Sequence, residues 1–253
     1  MFMNSTSVAL VTFGALFGSA MIGVFLKSRM ATQHLSSEAK DTVKLAMGLV
    51  ASMTALVLGL LVASAKGSYD SQRTNLIQLA AKTAYLDRVL ELYGPQATGA
   101  RQHLRESLAE GVKRLWQSPE KVHAGRGSDL KQAQVLYESV QALQPADEIH
   151  RNLRGLASQQ LIDLGQIRWL LFEQSGSAIS HPLLIVVICW LAFIFLSFGV
   201  FAPGNPVTIT SLFIAAASVA GAVFLILELD RPFTGYIEIP REILTEALVP
   251  LAN

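Results

Sequence analysis

A single cysteine, Cys189, stands among the 253 residues. That excludes an intrachain disulfide framework and a zinc site built mainly on cysteine. Charge is scarce too. Asp, Glu, Lys and Arg make up 15% of the chain, against about 25% in an ordinary soluble domain. With 51% hydrophobic residues, this shortage rules out a disordered chain and argues against a purely soluble enzyme. Neither sign of charge dominates: 20 Lys and Arg face 19 Asp and Glu. A nucleic-acid binder carries a basic surplus, so no nucleic-acid partner is expected.

Motifs that carry chemistry are missing as well. His34, His103, His123, His150 and His181 form no HExxH pair, and none lies beside the cysteine. There is no GxSxG elbow, P-loop or GxGxxG run. No catalytic residue, resident metal or cofactor is expected, and the chain does not read as an enzyme. His181 precedes Pro182 and suits a helix entry. No alternating strand pattern or Asn-Gly hairpin occurs, so the expected fold class is all-α.

What charge there is clusters. Residues 66–181 hold 26 of the 39 charged residues. The flanks contain four long uncharged runs, at 8–26, 45–65, 182–201 and 207–227. A helix of about 20 apolar residues spans a bilayer. The reading is an integral membrane protein with four transmembrane helices and a helical bundle inserted between helices two and three. Its parts are a first helix pair (1–65), a soluble helical block (66–181), a second helix pair (182–227), and a membrane-edge motif with a C-terminal tail (228–253). Residues 1–7 carry no Lys or Arg, so the first run reads as a retained span rather than a signal peptide.

No proline and only three glycines, Gly48, Gly59 and Gly67, interrupt helix formers between Leu45 and Tyr93. An unbroken helix there would be roughly 70 Å long. Gly94 and Pro95 stop one helix and start the next. Pro119, Gly125 and Gly127 mark 118–128 as a loop, and Asp129 is expected to cap the helix that follows. Pro145, then Asp147 and Glu148, opens a last helix with acids in its first turn, which suits the helix dipole. Span three carries Trp190, Phe193, Phe195, Phe198 and Phe201 and reads as lipid-facing. Span four, with Ala215, Ala216, Ala217, Ser218, Ala220 and Gly221, reads as packed on neighbours, because small residues let helices approach closely in lipid.

Span two has two contrasting sides. At 100° per residue, Leu49, Met53, Leu56, Val57 and Leu60 share a bulky one. Opposite lie Lys44, Gly48, Ala51, Ser52, Ala55, Gly59, Ala63 and Lys66. This small side is either a packing seam or the lining of a pore. Its pore-lining candidates are Lys44, Gly48, Ser52, Ala55, Gly59, Ala63 and Lys66. Lys44 and Lys66 are 22 residues apart, roughly 33 Å. In a ring of identical subunits they would place basic rings at both mouths of a pore and favour anions. Alternatively, both snorkel to the membrane surfaces. After span four, Glu228, Asp230 and Arg231 stand at the membrane edge, where Arg231 can pair with either acid as a clasp, and Pro232 is expected to end the helix.

The run Glu-Leu-Asp-Arg-Pro-Phe-Thr-Gly at 228–235 resembles the signature of a bestrophin-like bacterial membrane-protein family of uncharacterised function. The run Leu-Gly-Leu-Leu-Val-Ala-Ser-Ala-Lys-Gly-Ser-Tyr-Asp-Ser-Gln at 58–72 is similar to that family's other recurrent stretch, and the layout of spans matches. Bestrophins are pentameric anion channels whose second membrane helix lines the pore and extends into a cytosolic helical domain. The resemblance thus implies a homo-oligomer, a pentamer, conducting small inorganic ions across a lipid bilayer, here the bacterial inner (plasma) membrane. Counting Lys and Arg near the membrane gives six for the block and tail against four in the 27–44 loop. With the resemblance, this puts the block and both termini in the cytoplasm. The alternative function is a non-conducting scaffold or sensor whose block binds a cytosolic partner.

Overall fold

The computed structural model describes residues 4–29, 37–116, 126–174 and 179–248. Every regular element among them is helical. The α-helices are α1 (Ser5–Arg29), α2 (Ser37–Tyr93), α3 (Thr98–Leu115), α4 (Arg126–Gln141), α5 (Glu148–Glu173), α6 (His181–Phe201), α7 (Pro206–Leu229) and α8 (Glu242–Leu248), with a short 3₁₀ turn at Pro95–Ala97. Four of them, α1, α2, α6 and α7, are long and apolar enough to cross a membrane. The chain forms two compact units, 1–67 with 178–230, and 68–177 with 231–253. Helix α2 contributes residues to both.

The first unit is built on α1, the first part of α2, α6 and α7. Leu16, Ala20, Leu61, Ala65, Val187, Phe195, Ala216, Val223 and Ile226 form its core. Phe213 meets Phe13 and Phe17 edge-on, with ring centroids 5.2 and 5.5 Å apart. Helix pairs in lipid associate through close packing rather than water exclusion, and α1 and α6 show it at two glycines. A Cβ on Gly23 would run into the carbonyl oxygen of Leu196, and one on Gly199 into that of Ala20. Lys27 then donates from Nζ to the carbonyl oxygen of Ala202, at 2.6 Å, placing a cation where the dipole of α6 is negative. Asn205 caps α7, its side-chain oxygen accepting from the Thr208 amide at 2.8 Å, and Pro206 fills the first position, where its missing N–H costs nothing.

The aromatic expectation for span three needs correction, and within this chain only part of span four's small set is packed. Phe195 is core, 3% exposed, although Phe193 and Phe198 face outward. On α7 only Ala216 and Ala220 of the small set are buried. Ala215, Ala217, Ser218 and Gly221 are exposed. A helix buries one stripe at i, i+4, i+7, so a run of consecutive small residues cannot all face the same neighbour.

In the second unit α2 ends before Gly94, whose φ of 94° and ψ of −164° are open essentially to glycine alone. Arg101 on α3 reaches back to Asp87 on α2 with two bonds, Nε to Oδ1 at 2.7 Å and Nη2 to Oδ2 at 2.9 Å. The carboxylate raises the guanidinium pKa further above its ordinary value. Lys82 on α2 pairs with Asp163 on α5. Asp147 caps α5 by accepting from the His150 amide at 2.8 Å. The chain after α7 runs across this unit and buries Phe233, Ile239 and Leu244 in its core. Trp116 holds it, donating from Nε1 to the Ile239 carbonyl oxygen at 3.1 Å.

Helix α4 starts at Arg126, so Asp129 lies within its first turn instead of capping it, and the expected loop is shorter at that end; 118–125 falls outside the described residues. Likewise α7 ends at Leu229, with Asp230 as its C-cap, two residues before Pro232. A proline disfavours helical backbone in the residue before it, which stops the helix early.

Candidate functional site: the outward sides of helix α2

Helix α2 turns three sides within the first unit, not two. Thr54, Leu61 and Ala65 are buried, and Val57 and Leu58 pack partly against the same core. At 100° per residue the small side lies roughly 130° from this packed side and the bulky side roughly 230° from it, so the two are about 100° apart rather than opposite. Lys44, Gly48, Ser52, Ala55, Gly59, Ala63 and Lys66 are all exposed. The bulky side is no better covered: Leu49, Met53, Leu56 and Leu60 are between 50% and 69% exposed. The chain's own core therefore leaves both sides open.

The small side is open at close range too. A Cβ on Gly48 or Gly59 would meet nothing within 4 Å. The Ser52 hydroxyl donates to the Gly48 carbonyl oxygen at 3.0 Å, an i−4 bond that satisfies a hydroxyl without water. Lys44 lies 3.4 Å from Asp41, both well exposed. Lys66, one bilayer thickness along the helix, is exposed as well.

In the last turn of α7, Glu228 is 1% exposed. A buried carboxylate needs a compensating donor or charge. Asp230 and Arg231 are both half-buried. The Asp230 amide bonds the Ile226 carbonyl oxygen at 3.2 Å, and the Arg231 carbonyl accepts from Thr234 at 3.2 Å, opening the turn that follows.

An amide cluster on α2 escaped the sequence reading. Gln72, 2% exposed, donates to the Ser68 hydroxyl at 3.3 Å and to the Gln174 carbonyl oxygen at 3.1 Å. Asn75 donates to the Gln174 side-chain oxygen at 2.9 Å. The signal was present: Ser68, Gln72 and Asn75 recur at helical spacing just past the apolar run. No group of three His, Cys, Asp or Glu side chains fit to hold a metal occurs among the described residues.

A family model, the bestrophin-like domain, matches residues 14–244. Crystal structures of a bacterial bestrophin homologue from Klebsiella pneumoniae share the fold. One point variant superposes with a TM-score of 0.70 at 13% identity, over 96% of this chain and 99% of that one. Another gives 0.68 at 14% identity over the whole of both chains. None of the curated proteins compared matches the sequence. The structural likeness, at such low identity, carries the fold; the family model, running through all four membrane-length helices and the block between them, carries the kinship. The chain belongs to the bestrophin-like family.

Proposed function

We propose that the protein is an oligomeric channel for small inorganic anions, with α2 lining the pore. The observation that carries this is the openness of the small side of α2. Its glycines, alanines and Ser52 are left outside the chain's own core, so the seam they would make must be formed with something beyond one subunit. A water-filled axis suits small and polar residues, and the bulky side then meets lipid or the next subunit. Basic rings at Lys44 and Lys66 would concentrate anions at both mouths. Family membership supports the same reading, and five is the subunit number the family resemblance implies. The clasp of Glu228, Asp230 and Arg231 would hold the membrane edge of α7. The bacterial inner membrane is the proposed location, with the helical block and termini cytoplasmic.

Purified protein in liposomes tests the reading by chloride or iodide flux. Wild type is expected to conduct. Lys44→Glu with Lys66→Glu is expected to lower the anion-to-cation permeability ratio, and Gly59→Phe to block conduction without preventing assembly. A Gly59→Phe protein that assembles and conducts normally removes this side of α2 from the pore. Well-assembled wild type that passes neither anions nor cations, with or without calcium, leaves the non-conducting scaffold as the function. Topology is read separately, from Gln102→Cys in a Cys189→Ala background. Labelling by an impermeant thiol reagent in intact cells would place the block outside.

A further inference from the structure

The helical block contains a cavity of about 320 Å³ between α2, α3, α4, α5 and the C-terminal segment. Protein interiors are close-packed, with few voids larger than a water molecule. Room on this scale is at the lower end of small-molecule sites. Its deep wall is apolar: Leu104, Leu164, Leu171 and Leu244 are all at least nine-tenths buried. Its mouth includes Tyr137 and Ile162, both more than 40% exposed.

Two further features mark the cavity as more than a packing defect. Gly111 on α3 and Gly165 on α5 both line it, and a Cβ on either would meet nothing within 4 Å. Glycine inside a helix costs about 1 kcal/mol relative to alanine. Neither backbone approach nor a turn requires glycine at these two positions; Gly111 is half-buried, and Gly165 is exposed at the mouth. The second feature is charge. Among the described residues the lining includes Arg114 and Arg168 and no Asp or Glu. Arg114 is held by Glu110 at 3.0 Å. Arg168 donates from Nη1 to the Ser107 hydroxyl oxygen at 3.0 Å, and Ser107 is 4% exposed. A hydroxyl that accepts still has its own proton to give. A guanidinium fork and a hydroxyl donor beside an apolar chamber match the two oxygens of a carboxylate.

The geometry points to a binding site for a single-chain carboxylate in the helical block, with its apolar chain in the cavity and its head on Arg168 and Ser107. At roughly 30 Å³ per methylene-sized group, taken as water's share of liquid volume, the chamber holds about ten such groups. The site is separate from the proposed pore and stands whether or not the protein conducts.

The test uses full-length protein in lipid nanodiscs and decanoic acid bearing a diazirine. Photolysis and peptide mass mapping are expected to find adducts within 104–115 and 161–172. Decanoate should compete for them, whereas decanol and decyltrimethylammonium should not. Arg168→Gln is expected to weaken competition by decanoate about tenfold, the loss of one charge-assisted contact. Gly165→Leu and, on the other helix, Gly111→Leu should fill the chamber and abolish these adducts, with a melting temperature no lower than wild type. Adducts confined to the membrane helices overturn the proposal. So do adducts that persist in a correctly folded Gly165→Leu or Gly111→Leu protein, or decanol competing as well as decanoate.

Discussion

Gly23 on α1 and Gly199 on α6 meet face to face: a Cβ built on Gly23 stands 2.9 Å from the Cα of Gly199, and one built on Gly199 stands 3.0 Å from the Cα of Gly23. The obstruction is backbone, which no rotamer change can move aside. Gly23→Ala or Gly199→Ala is therefore expected to push the helices apart and cost about 1–3 kcal/mol, the range for overpacking. Gly14→Ala on the same α1 helix, where a Cβ meets nothing within 4 Å, should be neutral or stabilising. Melting temperatures of the three variants in one detergent check this. Equal melting of Gly23→Ala and Gly14→Ala would show that α1 and α6 do not approach so closely.

Asp87 and Arg101 tie α2 to α3 by a bidentate pair in which Asp87 is 6% and Arg101 20% exposed at the side chain. Asp87→Ala leaves the guanidinium desolvated and unmatched. The expected loss is about 3 kcal/mol, the low end for breaking a buried pair because Arg101 keeps some solvent. Arg101→Lys restores the charge but not the fork, and should recover only part of the loss relative to Arg101→Ala. Urea unfolding followed by circular dichroism measures all three.

Stability of the helical block should fall in acid through Asp163. The Lys82 ammonium and the Gln159 amide both hydrogen-bond its carboxylate, holding the pKa below the ordinary carboxylate value. A group whose pKa is lowered by folding stabilises the fold above its unfolded value, and that stabilisation disappears as pH drops through the folded value. The loss therefore begins near pH 4 and deepens below it. Asp147, lowered by the amide and ring of His150, acts in the same direction. Asp163→Asn should melt lower than wild type at pH 7 and converge on it in acid. A constant gap across pH would remove Asp163 from the acid response.

Glu228 is the one acid among the deeply buried residues of α7. If the proposed clasp neutralises it, Arg231→Ala withdraws the nearest cation in sequence and lowers the heat stability of the assembly, by about 3 kcal/mol for a fully buried partner and less with solvent access. Size-exclusion traces after graded heating report the change. Unaltered heat resistance would reduce the motif to a solvated helix end.

Local rules served the sequence reading where the cause is local. Gly94 and Pro95, and Asp147 ahead of α5, act on backbone groups within one turn, and the helix boundaries follow them closely. The four apolar runs are equally local, since bilayer thickness sets their length. Contacts between helices are a different matter. Nothing near Gly23 or Gly199 in sequence says which glycine meets which; that depends on how α1 crosses α6. Phe195 looks no different from Phe193 until a neighbour covers it. Asp129 looked like a cap because glycines precede it, yet α4 begins three residues earlier, at Arg126. For the candidate site, the small and bulky sides of α2 were visible from periodicity. The third side was not, because Thr54 and Ala65 carry no marked polarity or bulk, and only the fold reveals that they are the packed ones.

The path of the chain has a consequence for biosynthesis. The block's core takes in Phe233, Ile239 and Leu244, which leave the ribosome after the last membrane helix. At about 5–20 residues per second, roughly 4 to 14 seconds separate the end of α5 at Glu173 from the arrival of Leu244. Throughout that interval the newborn block lacks three of its core side chains, and the Trp116 indole lacks the carbonyl it donates to in the finished fold. Insertion of α6 and α7 must come first. The helical block of this protein is thus finished only after its last membrane-length helices have been made, and a nascent chain delayed between the two would present an open apolar core to chaperones and proteases.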